Sequence, residues 1–157
     1  MRNLKRSGFS EEDLKTAYLS LVRPVFDYTS AVYHPLLNAD QSTRLERMQK
    51  RALKIISGQG SNYAESIEKL GIDTLETRRL ALVDSFLDKA IVNTRFSQRW
   101  FLVKEKNPLN TRHEQKYKEF RCNTERSRRN PLNFYRSRLN DKLKNIRVIR
   151  EAPQYGE

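Results

Sequence analysis

Apolar residues recur along the first two-thirds of this chain at helical intervals. Leu14, Tyr18, Leu21, Val25, Tyr28 and Val32 follow one another at alternating steps of four and three, the repeat of a single helical face. Ser10-Glu11-Glu12-Asp13 precedes them, a capping-box-like start with acids on the first turn. The seam keeps its phase across Pro24, which predicts a kink there rather than a stop, and His34-Pro35 ends the segment. A second helix is predicted from Asn38 or Asp40 to Gly58, with Leu45, Met48, Ala52 and Ile55 as its buried face. Asn62 and Glu65 stand at cap spacing before Ile67, Leu70 and a terminating Gly71. Asp73 with Glu76 repeats that spacing and opens a fourth helix, whose inner side carries Leu75, Leu82, Val83, Phe86, Leu87, Ala90 and Ile91.

Beyond Asn93 the regularity fades. Phe96, Trp100, Phe101 and Leu102 are expected to pack back on the bundle, and residues 104–131 read as an irregular basic arm. Asn130-Pro131 marks a cap with proline at the first helical position, after which Leu132, Tyr135, Leu139, Leu143 and Ile146 form one more amphipathic face. No alternating run argues for a sheet. The expected fold is therefore all-α: a small helical bundle over 1–103, a basic, partly irregular arm or linker over 104–131, an amphipathic helix over 132–150, and a flexible tail over 151–157.

Charge sharpens this division. Lys and Arg number 31 against 19 Asp and Glu, a net of +12 and a pI near 10.0. Residues 104–150 hold 15 of the bases and only 5 of the acids, whereas 30 of the 39 Leu, Ile, Val and Phe lie before position 104. A folded body thus leads into a segment suited to a polyanion, because each neutralised phosphate releases counterions. The single cysteine, Cys122, excludes an internal disulfide and fits a reducing compartment. The N-terminus lacks the apolar core of a secretory signal, and no stretch has the length of a membrane-spanning helix. An intracellular protein of nucleus or cytoplasm, neither secreted nor membrane-bound, is the expectation.

Converging reactive groups are scarce. His34, His113 and Cys122 lie far apart without zinc-ligand spacing, and there is no phosphate-binding glycine loop, nucleophile elbow or adjacent aspartate pair. His34, just before Pro35, suits a capping or packing role. No catalytic residue, metal ligand or cofactor is assigned, and the chain is expected not to be an enzyme on its own.

One constellation stands out. Arg44, Arg47, Lys50, Arg51 and Lys54 project, at about 100° per residue, into an arc of about 120° on the second helix. Glu46 is the only acid between positions 41 and 64, which leaves little to neutralise them from within. Such a ridge can track a phosphate backbone, or it is an ordinary solvated face. A second group comprises Arg121, Arg126, Arg128 and Arg129, with Asn123, Asn130, Phe134, Tyr135, Arg136 and Arg138 around it. Arginines interleaved with amides and aromatics suit unpaired or irregular nucleic acid, though a basic tail anchored by two aromatics has the same composition.

Four blocks resemble a known family. The run Leu21-Val-Arg-Pro-Val-Phe-Asp-Tyr-Thr-Ser-Ala-Val-Tyr-His-Pro35 is similar to a segment just downstream of the polymerase core in non-LTR retrotransposon reverse transcriptases of the jockey or RTE kind. The similarity continues in Leu45-Glu-Arg-Met-Gln-Lys-Arg-Ala-Leu-Lys-Ile-Ile56 and in Leu70-Gly-Ile-Asp-Thr-Leu-Glu-Thr-Arg-Arg79. It returns in Arg121-Cys-Asn-Thr and Asn130-Pro-Leu. Tyr33 stands where the family usually has tryptophan. The resemblance implies a helical thumb and following C-terminal region, which helps hold the template–primer duplex, with Arg47, Lys50 and Arg51 as the grip. The palm with its metal-binding aspartates is expected to lie before Met1, so two-metal chemistry has no site here. The expected partners are RNA, DNA or their hybrid, together with a polymerase palm domain. Two alternatives stand beside this: a helical protein-interaction module that once docked a palm, and a retroelement remnant without a selected role.

Overall fold

The computed structural model describes residues 1–58, 60, 62–103 and 116–151, with side chains of the last helix as far as Lys144. The expectations for His113, Ile146 and the far end of the tail lie outside these residues, as does most of the first half of the arm. The fold is all-α, with no strand among the described residues beyond an isolated bridge between Val103 and Tyr117. Contacts sort into two units, Met1–Asp84 and Ser85–Glu157, and the division falls inside one helix.

The first unit opens with α1 (Arg2–Arg6) and α2 (Glu11–Ala17). Ser10 caps α2 as its residue type requires: its Oγ accepts from the Asp13 amide at 3.2 Å, and the Asp13 carboxylate accepts from the Ser10 amide at 3.1 Å. The Ser10 hydroxyl first, and its amide second, hold the Asp13 carboxyl below its usual range. Next comes a π-helical turn over Tyr18–Val22, then α3 (Arg23–Asp27), with Pro24 at its start. The turn precedes the proline, whose missing N–H and bulky ring disrupt the ordinary i to i−4 ladder.

That turn corrects the predicted seam. A π turn slips the phase of a helix by about one residue, roughly 100°. Leu14 and Tyr18, before the slip, are buried, but Leu21, Val25 and Tyr28 are 69%, 72% and 77% exposed, and Val32 is exposed too. The helical run passes through Pro24, as expected, but ends at Asp27, short of His34-Pro35: Tyr28 leaves the helical region and Thr29 adopts a left-handed φ of 53°. The short α4 (Ser30–Tyr33) and a 3₁₀ turn over His34–Leu36 follow.

Asn38 caps α5 (Ala39–Ser57), with Gln41 completing the box, and Gly58 ends it at a φ of 96°. Asn62 and Glu65 do the same for α6 (Tyr63–Leu70), and Gly71 closes it in the left-handed region at 60°. The helix α7 (Leu75–Val92) is capped by Thr74 rather than Asp73, since Thr74 Oγ1 accepts from the Thr77 amide at 3.1 Å. Leu14, Tyr18, Ala52, Leu53, Ile56, Leu70 and Ile72 form one core cluster. Burying an aliphatic side chain of this size contributes about 1.5–3 kcal/mol, so α2, α5 and α6 hold one another.

The second unit takes in the end of α7, then α8 (Thr94–Trp100), capped by Asn93, where the sequence pattern had no regular element. Its later helices are α9 (Glu125–Arg128) and α10 (Pro131–Glu151), the latter capped by Asn130. Phe86 packs on Trp100 and Tyr135, at ring separations of 6.3 and 5.8 Å. Phe101 is buried against Tyr117, whereas Leu102 is exposed.

Candidate nucleic-acid interface

What orients α5 is its buried side. Gln49, Ala52, Leu53 and Ile56 are buried, whereas Met48, expected inside, is 58% exposed and Ile55 only half-buried. The buried face is therefore rotated by about 70° from the expected one, at 100° per residue. Gln49 explains the rotation. Its Oε1 accepts from the Tyr18 hydroxyl at 2.8 Å, and its Nε2 donates to the Asp73 carbonyl at 2.8 Å and the Tyr63 hydroxyl at 3.3 Å. One side chain thus joins the π turn, α5, α6 and the entry to α7. Burial pushes the Tyr18 phenol up to about 12, and burial followed by the hydrogen bond to Glu46 raises Tyr63. Both hydroxyls remain protonated donors at neutral pH.

With that side fixed, the five cations of α5 point almost directly away from the core. Arg44, Arg47, Lys50, Arg51 and Lys54 are all exposed. Glu46 is turned inward, where its Oε1 accepts from the Tyr63 hydroxyl and, at 3.2 Å, from the Leu75 amide. It cannot neutralise the ridge. Arg44 is different from the rest, because its Nε lies 2.9 Å from Asp40, one turn earlier. Among the described residues, Arg47, Lys50, Arg51 and Lys54 make no ion pair.

The structure adds cations that the sequence pattern left out. The last turns of α5 face α1 across an open cleft of about 560 Å³, with Arg2, Lys5 and Arg6 on one wall and Arg51 and Lys54 on the other. Lys5 Nζ donates to the Ile55 carbonyl, and to the Ile56 carbonyl at 3.2 Å, which ties α1 to the carbonyl end of α5. The signal was present as the three- and four-residue spacing of Arg2, Lys5 and Arg6, in a segment with no apolar repeat to draw notice.

The second group belongs to the second unit and is less uniform. Arg121 and Arg126 are exposed and unpaired among the described residues. Arg128 and Arg129 share Glu125, at 3.3 and 3.8 Å. Two residues grouped with them face inward. Tyr135 is buried against Phe86, so its ring is not free to stack on a base. Arg136 is buried, with its Nε donating to the Trp100 carbonyl at 2.7 Å and its Nη1 to the Lys118 carbonyl at 3.1 Å. Its guanidinium lies 4.5 Å from the centre of the half-exposed Phe120 ring.

His34 and Cys122 both make contacts within the fold. His34 Nδ1 faces the Nε of buried Arg79 at 3.4 Å, and Arg79 Nη2 donates to Ser42 Oγ at 2.9 Å. Cys122 Sγ accepts from Asn133 Nδ2 at 3.0 Å. Among the described residues, no three His, Cys, Asp or Glu converge as a metal site, and no helix is long and apolar enough to cross a membrane. No protein-family model, curated protein or solved structure matches the chain.

Proposed function

We propose that this chain is a non-catalytic nucleic-acid-binding piece, related to the thumb and C-terminal region of non-LTR retrotransposon reverse transcriptases. It grips RNA, DNA or their hybrid through phosphates. The observation that carries this reading is the outward face of α5, where four cations at helical spacing make no ion pair among the described residues. Arginines there can hold a phosphate through two parallel bonds, and lysines act as point charges. In the second unit Arg121 and Arg126 are candidate contacts in their own right, with Arg128 and Arg129 partly offset by Glu125.

The test is a salt-titrated binding curve on single-stranded, duplex and hybrid ligands. Replacing Arg47, Lys50 and Arg51 with Gln removes three contacts. On duplex DNA that flattens the slope of log affinity against log salt by about 2.7, at about 0.9 per phosphate. Between 50 and 200 mM salt the variant therefore loses about 40-fold less affinity than the parent. Arg44→Gln changes the slope less than Arg47→Gln, because Asp40 already holds Arg44. An unchanged slope in the folded triple variant removes the ridge from the reading.

A second reading is supported by a different observation. Leu21, Val25, Tyr28 and Val32 expose a run of apolar surface from the π turn through α4, as a helical module for docking a polymerase palm domain would. On this reading the chain self-associates at moderate salt without nucleic acid, and Leu21→Ser with Val25→Ser abolishes it. A monomer in sedimentation at every salt concentration counts against this alternative.

A further inference from the structure

The ridge and the cleft differ in shape, and the difference has a chemical consequence. Arg47 and Lys50 stand on one convex helix, where a phosphate meets cations from one side only. At the end of α5 a second wall faces Arg51 and Lys54, and that wall is also cationic. Lys5 is held by the carbonyl end of α5, which leaves Arg2, Arg6, Arg51 and Lys54 as the free heads around one space. Among the described residues, no acidic side chain lines it. Four like charges around about 560 Å³ repel one another, and an anion seated between them relieves that repulsion. The relief grows with the charge of the anion. An internal phosphodiester carries a single charge, whereas a phosphomonoester carries about −1.5 to −2 at neutral pH and offers three acceptor oxygens. Three of the four free heads are guanidinium groups, whose forked donors match such a group.

We propose that the α1–α5 cleft is a phosphomonoester site, which receives the terminal phosphate of a nucleic-acid strand laid along the ridge. The assignment rests on the nucleic-acid reading above and adds to it an end preference. A strand running along α5 from Arg47 towards Lys54 meets α1 at the point where the helix stops at Gly58. Its end, with the extra charge, lies there. A free polyphosphate offers the same chemistry without a strand, so the two sources must be separated.

The experiment measures anisotropy of a short oligonucleotide, labelled at the opposite end, with a 5′-phosphate, a 3′-phosphate or hydroxyls at both termini, at about 0.15 M salt. One phosphorylated form is expected to bind about tenfold tighter than the hydroxyl form, the equivalent of a single charge-assisted contact. Arg2→Gln with Arg6→Gln abolishes that increment, so that phosphorylated and hydroxyl-ended ligands bind the variant with equal affinity. No residue of α1 is buried, so this variant keeps the core, which circular dichroism checks. Arg47→Gln with Lys50→Gln, outside the cleft, weakens all three ligands alike. Equal affinity for phosphorylated and hydroxyl ends, with the ridge variant still weakened, overturns the cleft assignment and leaves the ridge standing. Binding of no strand, while inorganic tripolyphosphate binds by calorimetry and is lost in the Arg2/Arg6 variant, overturns the strand source and the ridge together.

Discussion

Gln49→Leu is the sharpest test of what aims the cationic face. Gln49 is fully buried and bonds to three groups: the Tyr18 hydroxyl, the Tyr63 hydroxyl and the Asp73 carbonyl. Leucine fills much of the same space without polar atoms. The Tyr63 hydroxyl keeps Glu46 as its acceptor, and the backbone of exposed Asp73 can turn to water. Tyr18 has neither recourse, being 0% exposed. A buried donor without its acceptor costs about 1–3 kcal/mol, and the weakened Asp73 contact adds about 1, so the variant loses about 2–4 kcal/mol. Urea unfolding by circular dichroism reads the total, and amide exchange at Ala52, Leu53 and Ile56 locates it in α5. The decisive arm is the double variant with Tyr18→Phe. Removing both polar partners at once restores part of the loss, about 1–3 kcal/mol relative to the sum of the single changes. Additive effects, or a Gln49→Leu cost below about 0.5 kcal/mol, would refute the claim that this bond fixes the rotation of α5.

The other predictions concern charge and titration. Arg47→Glu turns like-charge neighbours at Lys50 and Arg51 into attractive ones, so it stabilises the free chain by about 1 kcal/mol while weakening nucleic-acid binding, as paired melting and binding curves would show. The Tyr18 phenol, raised by burial to about 12, binds its proton more tightly in the folded chain than in the unfolded one, where the value is about 10. The stability it contributes is complete below pH 10 and lost as pH rises from 10 through 12, and an absorbance titration of tyrosinate finds one late-titrating phenol fewer in Tyr18→Phe. Arg136→Leu strands the carbonyls of Trp100 and Lys118 and costs about 2–4 kcal/mol, measured by the unfolding midpoint of Trp100 fluorescence.

Features set by residues three or four apart were open to reading from the sequence. The capping boxes at Ser10, Asn38 and Asn62 satisfy orphan amides within one turn, and the glycines at 58 and 71 stop helices by their own backbone freedom. The cations of α5 fall in one arc for the same reason. What escaped depended on distant partners. Gln49 counts against burial in any hydrophobic repeat, and its partners Tyr18, Tyr63 and Asp73, 31, 14 and 24 residues away, make it a core residue. Arg136 looked like a surface cation because its carbonyl partners sit 36 and 18 residues earlier. The π turn left no mark on the seam, whose spacing stays in register as written while the backbone slips beneath it. Asp40 stands one turn before Arg44, outside the span of the ridge itself, and takes Arg44.

The unpaired face of α5 carries a cost that a face serving solubility alone has no need to bear. Arg47, Lys50, Arg51 and Lys54 stand three or four residues apart in four combinations, each an unfavourable like-charge neighbour worth about 0.2–0.5 kcal/mol, or about 1–2 kcal/mol together. The same unit places acids against bases elsewhere: Lys69 meets Glu11 at 2.7 Å and Arg78 meets Asp27 at 3.2 Å. Asp40 shows that one carboxylate a turn away suffices to neutralise a member of the row. Solubility is gained as well by mixed charge as by a single sign. A row of one sign, held opposite the core by a buried glutamine and joined at its end by Arg2 and Arg6, is worth its repulsion only where an anion relieves it. The exposed leucine, valine and tyrosine beyond the π turn give no such relief, so the polyanion reading accounts for a feature that the docking reading leaves unexplained.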